Sequence, residues 1–166
     1  MAFVYSFPPV ISRNSKVLIL GSMPGEVSLK AEQYYAHPRN AFWRIMGELL
    51  GAGPSLPYQE RLLVLDGAGI ALWDSLRACT RPGSLDSEIR DEEANDFAAL
   101  FASFPTITHV FFNGAKSEAA SRRHVLPTLA GPRRVFVHLP STSPAHAGMT
   151  FDEKVKRWRA VTKALS

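Results

Sequence analysis

Four short, almost uninterrupted apolar segments recur along the chain, with longer amphipathic stretches between them. These segments cover residues 17–20, 70–73, 109–112 and 135–139. Continuous apolar runs of this length are typical of parallel strands that are covered on both faces. Their alternation with helices predicts a three-layer α/β/α fold with a central four-stranded parallel sheet, because right-handed crossovers place helices on both faces of such a sheet.

Helical periodicity and helix-ending residues define the segments between the strands. The pattern predicts helices over residues 41–50, 57–66, 91–104, 115–129 and 152–165. The third of these helices begins with three acidic residues, 91–93, which suit the positive end of a helix. The remaining stretches, residues 1–15, 26–39 and 76–91, are predicted to be irregular, and a loop as long as 26–39 is more often functional than idle.

The last predicted helix has one apolar face and one basic face. Val155, Trp158 and Val161 are expected to point inward with Leu165, whereas the cations, Lys154 among them, are expected to point outward. Thr150 or Asp152 is the candidate N-terminal cap.

Length and composition exclude several classes of protein. At 166 residues, with 46% apolar and 20% charged residues, the chain is expected to form one domain over residues 1–166. No apolar run approaches the roughly 18 residues that a membrane span needs, and the N-terminus lacks the basic start of a signal peptide. The one cysteine, Cys79, excludes an internal disulfide and any four-cysteine metal or iron–sulfur site. We therefore expect a cytoplasmic protein.

Charge is unevenly distributed along the chain. Residues 1–113 hold 9 Lys and Arg against 12 Asp and Glu, whereas residues 114–166 hold 10 against 3. A basic C-terminal third favours a surface that faces phosphates, as in nucleic-acid-binding proteins. Solvated helix faces that happen to be basic are the alternative.

Three of the predicted strands end in unusual sequence, and parallel sheets bind ligands at the carboxyl ends of their strands. The three ends are Gly-Ser-Met-Pro-Gly at 21–25, Asn-Gly at 113–114 and Pro-Ser-Thr-Ser-Pro at 140–144. The first lacks the Gly-Lys-Ser/Thr of a P-loop, and GxGxxG is absent, which excludes two common nucleotide-binding loops. The hydroxyls of the third can hydrogen-bond phosphate oxygens, although a polar turn would explain the same residues.

The segment 34–44 is the richest in candidate chemistry. It combines five rings, counting His37, with two arginines and Asn40, and rings beside guanidinium groups suit stacked, negatively charged ligands. Asn40 could instead cap the following helix, and a lone histidine is more often structural. No two histidines have metal-ligand spacing, so neither a metal nor another cofactor is expected. Candidate acids or bases, which spacing does not rank, are Asp66, Asp74 and Asp86.

Taken together and in this order, residues 21–25, 35–43 and 139–145 resemble the motifs of the uracil-DNA glycosylase superfamily. Within it they are most similar to the hypoxanthine (deoxyinosine) DNA glycosylases of family six, as are residues 69–74 and 81–87. The resemblance covers the chain from about residue 7. It implies a monofunctional DNA glycosylase of base excision repair. Such an enzyme acts as a monomer on double-stranded DNA that contains deaminated bases, with hypoxanthine as first substrate and uracil or xanthine as further candidates.

The resemblance also implies roles for individual residues. The catalytic asparagine of family six carries over to Asn40, which would orient a water molecule or contact the base, because a carboxamide is not a general base at neutral pH. Tyr35 is the candidate stacking residue. The residues expected to bind the base are Gly21, Ser22, Met23, Pro24, Tyr35, His37 and Asn113. The residues expected to bind DNA are Arg39, Ser141, Thr142, Ser143, Pro144 and His146.

Two departures from related sequences qualify these roles. Ser22 and Met23 occupy the turn in which the mismatch-uracil enzymes carry a catalytic Asn. Family six resembles this chain in lacking that Asn. His146 stands where the family pattern has Asn, which leaves open how the gap left by the flipped base is filled. No lysine lies in a pocket motif, so no Schiff base is expected.

Three other functions remain open from the sequence. The chain could be a uracil or mismatch glycosylase, because pocket width decides between purine and pyrimidine. It could be a non-catalytic binding protein for damaged DNA, because the first motif lacks an acid. It could also be a small-molecule α/β enzyme whose basic C-terminal third is incidental.

Overall fold

The structure is a computed structural model that describes residues 3–129, 131 and 133–166. In chain order its strands are β1 (Phe3–Tyr5), β2 (Val17–Gly21), β3 (Ile70–Asp74), β4 (Leu76–Thr80), β5 (Arg90–Ala94), β6 (His109–Asn113) and β7 (Val135–Leu139). The α-helices are α1 (Glu26–Ala31), α2 (Phe42–Leu50), α3 (Tyr58–Ala68), α4 (Phe97–Ser103), α5 (Ala115–His124) and α6 (Phe151–Leu165). Short 3-10 turns cover Asp86–Glu88 and Leu126–Thr128.

The four predicted strands form one parallel sheet in the order β3-β2-β6-β7, which confirms the predicted fold class. The register aligns the carboxyl ends of neighbouring strands, since Gly21 lies opposite Asp74 and Asn113 lies opposite Leu139. The loops that follow these four positions therefore meet at one edge of the sheet.

Successive side chains of each central strand point to opposite faces of the sheet and pack into two separate hydrophobic cores. In β2, Val17 and Ile19 pack with α2, α3 and α6, whereas Leu18 and Leu20 pack with α4 on the opposite face. This double burial explains the uninterrupted apolar runs, and it produces the predicted three layers.

The chain between β3 and α4 differs from the prediction. Residues 76–91 were expected to be irregular and 91–93 to begin a helix, but β4 and β5 instead join β1 in a second, antiparallel sheet of order β1-β4-β5. Tertiary contacts outweigh the acidic helix signal here, because Glu92 in β5 forms an ion pair with Lys116 (2.7 Å) and a hydrogen bond with the His124 ring (3.1 Å). The helix begins later, at Phe97, and Asp96 caps it by accepting a hydrogen bond from the Ala99 N–H.

Smaller differences concern element ends and one lysine. Residues 3–5 and 26–31 were expected to be irregular but form β1 and α1, and α5 ends at His124, five residues before its predicted end. Lys154 is only 5% exposed, because its ammonium group donates a hydrogen bond inward to the His146 carbonyl oxygen (2.8 Å). Thr150 caps α6, which was one of the two predicted choices. None of the helices in the described ranges has the length and apolar character that crossing a membrane requires.

Candidate active site

A pocket of about 860 Å³ opens at the carboxyl edge of the parallel sheet. The loops after β2, β6 and β7 line it together with the segment 35–40. All fourteen residues proposed from the sequence for catalysis, base binding and DNA binding line this pocket. The structure therefore brings the three motifs together, as the aligned strand ends require.

The segment before α2 is held firmly at its start. The Trp43 indole N–H donates to the Tyr34 carbonyl oxygen (2.9 Å), and the Tyr34 N–H donates to the Tyr58 hydroxyl (3.0 Å). Tyr35 follows with a φ of 57°, in the left-handed region that non-glycine residues rarely adopt. Such strain is kept only where the surroundings fix it, and it is frequent in functional sites.

Tyr35 forms an aromatic platform in the pocket. One face of its ring stacks on Phe42, with ring centroids 4.0 Å apart and planes 23° from parallel. Its buried hydroxyl has no hydrogen-bond partner within the described residues. Burial raises the pKa of this hydroxyl well above its usual value, and the nearby Asp74 charge raises it further. The phenol therefore stays neutral at physiological pH.

Asn40 lies at the junction between the platform and α2. Its Oδ1 accepts a hydrogen bond from the Phe42 N–H (2.9 Å), the first amide of the helix. The side chain thus satisfies a helix-terminal amide, as the simpler interpretation predicted, although Ala41 holds the N-cap position itself. This bond fixes the carboxamide and leaves its Nδ2 hydrogens for a ligand in the pocket.

His37 and Arg39 form the turn that precedes Asn40. The Arg39 N–H donates to His37 Nδ1 (3.1 Å), and the Asn40 N–H donates to the His37 carbonyl oxygen (2.9 Å). His37 is therefore partly engaged in holding the turn. Arg39 is exposed at the rim of the pocket, where a guanidinium group is free to meet a phosphate.

Asn113 joins two of the pocket loops. Its Nδ2 donates to Thr142 Oγ1 (3.0 Å), and its Oδ1 accepts from the Thr142 N–H (2.9 Å). Thr142 is 1% exposed, and its carbonyl oxygen accepts from the Ala41 N–H (2.9 Å). Asn113 and Thr142 therefore fasten the β7 loop to the strand edge and to the start of α2. These bonds occupy groups that the sequence assigned to base and phosphate contacts.

The rest of the β7 loop is shaped by α6. Ser141 Oγ accepts from the Ser143 N–H (3.1 Å), and Ser143 Oγ accepts from the Ala145 N–H (3.2 Å). The indole N–H of Trp158, in α6, donates to the Pro140 carbonyl oxygen (3.0 Å). Both serine hydroxyls keep a hydrogen that they can donate to a phosphate oxygen. Pro144 and His146 are exposed beside them.

The Gly21–Gly25 turn is braced by residues 81–86, of which the sequence had named only Asp86 as a candidate acid or base. Ser22 Oγ donates to Asp86 Oδ1 (2.7 Å). The buried Arg81 donates from one terminal nitrogen to the Pro24 carbonyl oxygen and from Nε to the Gly83 carbonyl oxygen (2.8 Å). Residues 81–86 therefore act as a brace that fixes the turn.

Asp74 is the most unusual side chain in the pocket. It is 3% exposed, and its Oδ2 has no hydrogen-bond partner among the described residues. Burial and, to a smaller extent, the charge of Asp86 raise the pKa of this carboxyl group to about 7 against the opposing effect of Arg81. The sequence named Asp74 together with Asp66 and Asp86 but could not rank them. Its position at the carboxyl end of β3, beside the end of β2, was the available signal.

Absence of metal chemistry was expected from the sequence. In residues 3–129, 131 and 133–166, no group of three or more His, Cys, Asp and Glu side chains is arranged to hold a metal ion.

A parallel α/β sheet whose carboxyl edge carries an aromatic and amide-lined pocket defines a class of ligand-binding α/β proteins. A sequence model of the uracil DNA glycosylase superfamily matches residues 8–162, and the chain belongs to that superfamily. The resemblance found in the motifs is thereby confirmed.

Individual relatives agree with this assignment. The chain is 48% identical over 112 residues to a hypoxanthine DNA glycosylase from Methanosarcina barkeri, covering 67% of this chain and 71% of the relative. It is 37% identical over 156 residues to a hypoxanthine DNA glycosylase from Methanosarcina acetivorans, covering 93% and 95%. It is 26% identical to the G/U mismatch-specific uracil DNA glycosylase of Schizosaccharomyces pombe, over 95% of this chain and 53% of that protein.

A solved structure is also similar over its whole length. The solution NMR structure of a candidate uracil DNA glycosylase from Methanosarcina acetivorans superimposes with a TM-score of 0.80 at 34% identity, covering 99% of both chains.

Proposed function

We propose that the chain is a monofunctional DNA glycosylase of base excision repair that hydrolyses the bond between deoxyribose and a deaminated base. Hypoxanthine is the first substrate, and uracil and xanthine are further candidates. The observation that carries the proposal is the meeting of Asn40 and the Tyr35 platform in one pocket. The names of the two Methanosarcina relatives support the choice of hypoxanthine.

The pocket suits a base that has been rotated out of the duplex. Extrusion costs a few kcal/mol, least at a mismatch, and stacking on an aromatic ring returns roughly 1–3 kcal/mol per base. The ring of Tyr35 offers that contact, because Phe42 supports its other face and limits its movement. The flipped base would therefore be held in one orientation relative to Asn40.

Asn40 is the proposed catalytic residue. As the glycosidic bond breaks, the sugar gains oxocarbenium character and the departing base gains negative charge. The fixed Nδ2 of Asn40 can donate to that base, and the second lone pair of Oδ1, which already accepts from the Phe42 N–H, can accept a hydrogen of the attacking water and orient it. It abstracts no proton.

The proposed partner is double-stranded DNA, bound by the rim of the pocket. Arg39 would contact a phosphate, and Ser141 and Ser143 would donate to others. The backbone around them is fixed by Lys154 and Trp158, so the rim is preformed before DNA arrives. We further propose that the chain acts as a single domain and as a cytoplasmic monomer.

The test is a glycosylase assay on labelled duplexes that contain one hypoxanthine, xanthine or uracil opposite each normal base. Alkali reveals abasic sites, and we expect alkali-dependent cleavage at hypoxanthine. Cleavage at uracil alone would instead favour a mismatch-uracil enzyme, a candidate motivated by the fission-yeast relative. Binding without excision of any base would instead support the alternative of a non-catalytic binding protein for damaged DNA. An adduct trapped by borohydride would contradict the monofunctional mechanism.

A further inference from the structure

The carboxyl group of Asp74 lies in the base pocket without a role in the machinery described above. Asp74 ends β3 and lines the pocket beside Tyr35 and Gly21. Its Oδ2 and the Tyr35 hydroxyl are both buried and both lack hydrogen-bond partners among the described residues. A buried polar atom without a partner costs about 1–3 kcal/mol, so two of them on residues that line one pocket indicate an unfilled binding role.

Gly21 allows this carboxyl group to pack closely against the end of β2. A Cβ atom at position 21 would lie 2.5 Å from Asp74 Oδ1 and 3.2 Å from the Tyr35 hydroxyl. No side chain fits there, because the Asp74 carboxyl and the Tyr35 hydroxyl already pack against this glycine, and both groups therefore converge on the end of β2 at the pocket wall.

We propose that the carboxyl group of Asp74 binds the lactam edge of the flipped base, which is the adjacent N–H and C=O pair that deamination creates. The inference rests on the proposed glycosylase activity and adds a specificity-determining residue to it. A base that enters with its glycosidic bond toward the DNA places the opposite edge deepest. In hypoxanthine that edge carries N1–H and O6, and in uracil it carries N3–H and O4.

A protonated carboxyl group matches a lactam atom for atom. Its O–H donates to the lactam oxygen, and its C=O accepts from the lactam N–H. When the glycosidic bond breaks, its electron pair passes to the base and part of the charge reaches the lactam oxygen. A donor already in place there stabilises the transition state more than the ground state. The proton stays on Asp74; water forms the new bond to C1′ of the sugar, and the proton that this water loses passes through solvent to the departed base.

The surroundings of Asp74 favour this protonated form near neutral pH. Burial and, to a smaller extent, the charge of Asp86 together raise the pKa of the group to about 7, and Arg81 partly counters them. The other titratable groups that face it are the hydroxyls of Tyr34 and Tyr35, which stay neutral. The protonated fraction therefore falls as the pH rises above about 7.

The test compares Asp74→Ala and Asp74→Asn with Asp66→Asn, an aspartate of α3 outside the pocket. Single-turnover excision is measured for hypoxanthine and for unsubstituted purine, which lacks both lactam groups. We expect Asp74→Ala to slow hypoxanthine excision by about 10²-fold and purine excision far less, so the ratio of the two rates collapses. Binding to a duplex with an abasic site, which offers no base to the pocket, should stay within about twofold.

The pH profile gives an independent criterion. Wild-type excision of hypoxanthine should decline about tenfold per pH unit above about pH 7, and Asp74→Asn should keep part of the rate but lose that decline. An unchanged hypoxanthine-to-purine ratio in Asp74→Ala overturns the inference, whatever the absolute rates. If Asp74→Ala does not fold, a wild-type pH profile in Asp74→Asn overturns it equally. Wild-type protein that excises no base would instead remove the proposed function and this inference with it.

Discussion

Asn40 shows how one side chain can serve both a helix and a pocket. Its Oδ1 satisfies the first amide of α2, so local structure and site geometry depend on the same residue. A loss of activity in Asn40→Ala alone would not separate these two roles. Asn40→Asp does separate them, because aspartate keeps the acceptor for Phe42 and lacks the Nδ2 donor.

We expect Asn40→Ala to lower the single-turnover rate of hypoxanthine excision by about 10²–10³-fold, as loss of one transition-state donor does in other enzymes. It should also cost about 0.5–2 kcal/mol of stability through the lost helix contact. Duplex binding should survive. A variant that cleaves at the wild-type rate would remove Asn40 from catalysis. In Asn40→Asp, wild-type stability with low activity supports the donor role, whereas high activity means that the group orients water through an oxygen.

The raised pKa of Asp74 predicts that the stability of the protein depends on pH, and this can be measured without DNA. The pKa of its carboxyl group is about 7 in the folded protein against 3.8 ordinarily, so between these values the folded state holds a proton that the unfolded state has released. The free energy of unfolding therefore falls as pH rises through this window, by at most about 4 kcal/mol. Asp74→Asn should raise Tm clearly at pH 8 and little at pH 4. Equal Tm changes at both pH values, or the same pattern in Asp66→Asn, would show that Asp74 is not the cause.

At the scale of elements, the site is built by loops that more distant elements hold in place. The β7 loop is fastened by Asn113 from β6 and by Lys154 and Trp158 from α6. Lys154 is the costliest of these contacts, because desolvation of an ammonium group is unfavourable. Burial lowers the pKa of Lys154, and Arg44 lowers it further. The hydrogen bond from Lys154 to the His146 carbonyl oxygen offsets this desolvation and fixes the loop.

Lys154→Met should keep the apolar packing of α6 while releasing the loop. We expect affinity for an abasic duplex to fall about 10- to 100-fold, since hydrogen bonds to charged groups contribute about 1.5–3 kcal/mol. Lys156→Met is the matched control, because it removes the same charge from an exposed site on the same helix. Equal losses in the two variants would attribute the effect to charge and not to the loop.

Elements also show where sequence reasoning succeeds and where it stops. The four strands and the three motifs were predictable because each depends on residues that are neighbours in sequence. β5 was not, because Arg90–Ala94 has no apolar alternation and its Glu92 pairs with Lys116 of α5, which lies much later in the chain. Asp74 could be named but not ranked, since its burial depends on Gly21 and on the brace that carries Arg81 and Asp86. Asn113 lines the pocket, but its two hydrogen bonds to Thr142 were not predicted.

At the scale of the whole molecule, the positive charge of the C-terminal third is only partly neutralised inside the protein. Lys116 pairs with Glu92 and Arg122 pairs with Glu118. In the part of the chain that the structure describes, the cations of α6 form no ion pairs. Four of them, Lys156, Arg157, Arg159 and Lys163, lie along a helix whose first turns fasten the pocket loop.

This arrangement predicts strongly salt-dependent DNA binding. A protein that contacts six phosphates loses roughly 10³-fold or more in affinity between 50 and 200 mM salt, whereas a small-molecule enzyme shows no such slope. If α6 supplies some of these contacts, replacing Arg157 and Arg159 by Gln should reduce the slope of log K against log salt by about 2. Excision from a saturating enzyme complex should stay unchanged, because neither residue lines the pocket. An unaltered slope with intact binding would place the DNA on another face. A flat salt dependence in the wild type would argue that the basic surface is only a solvated helix face.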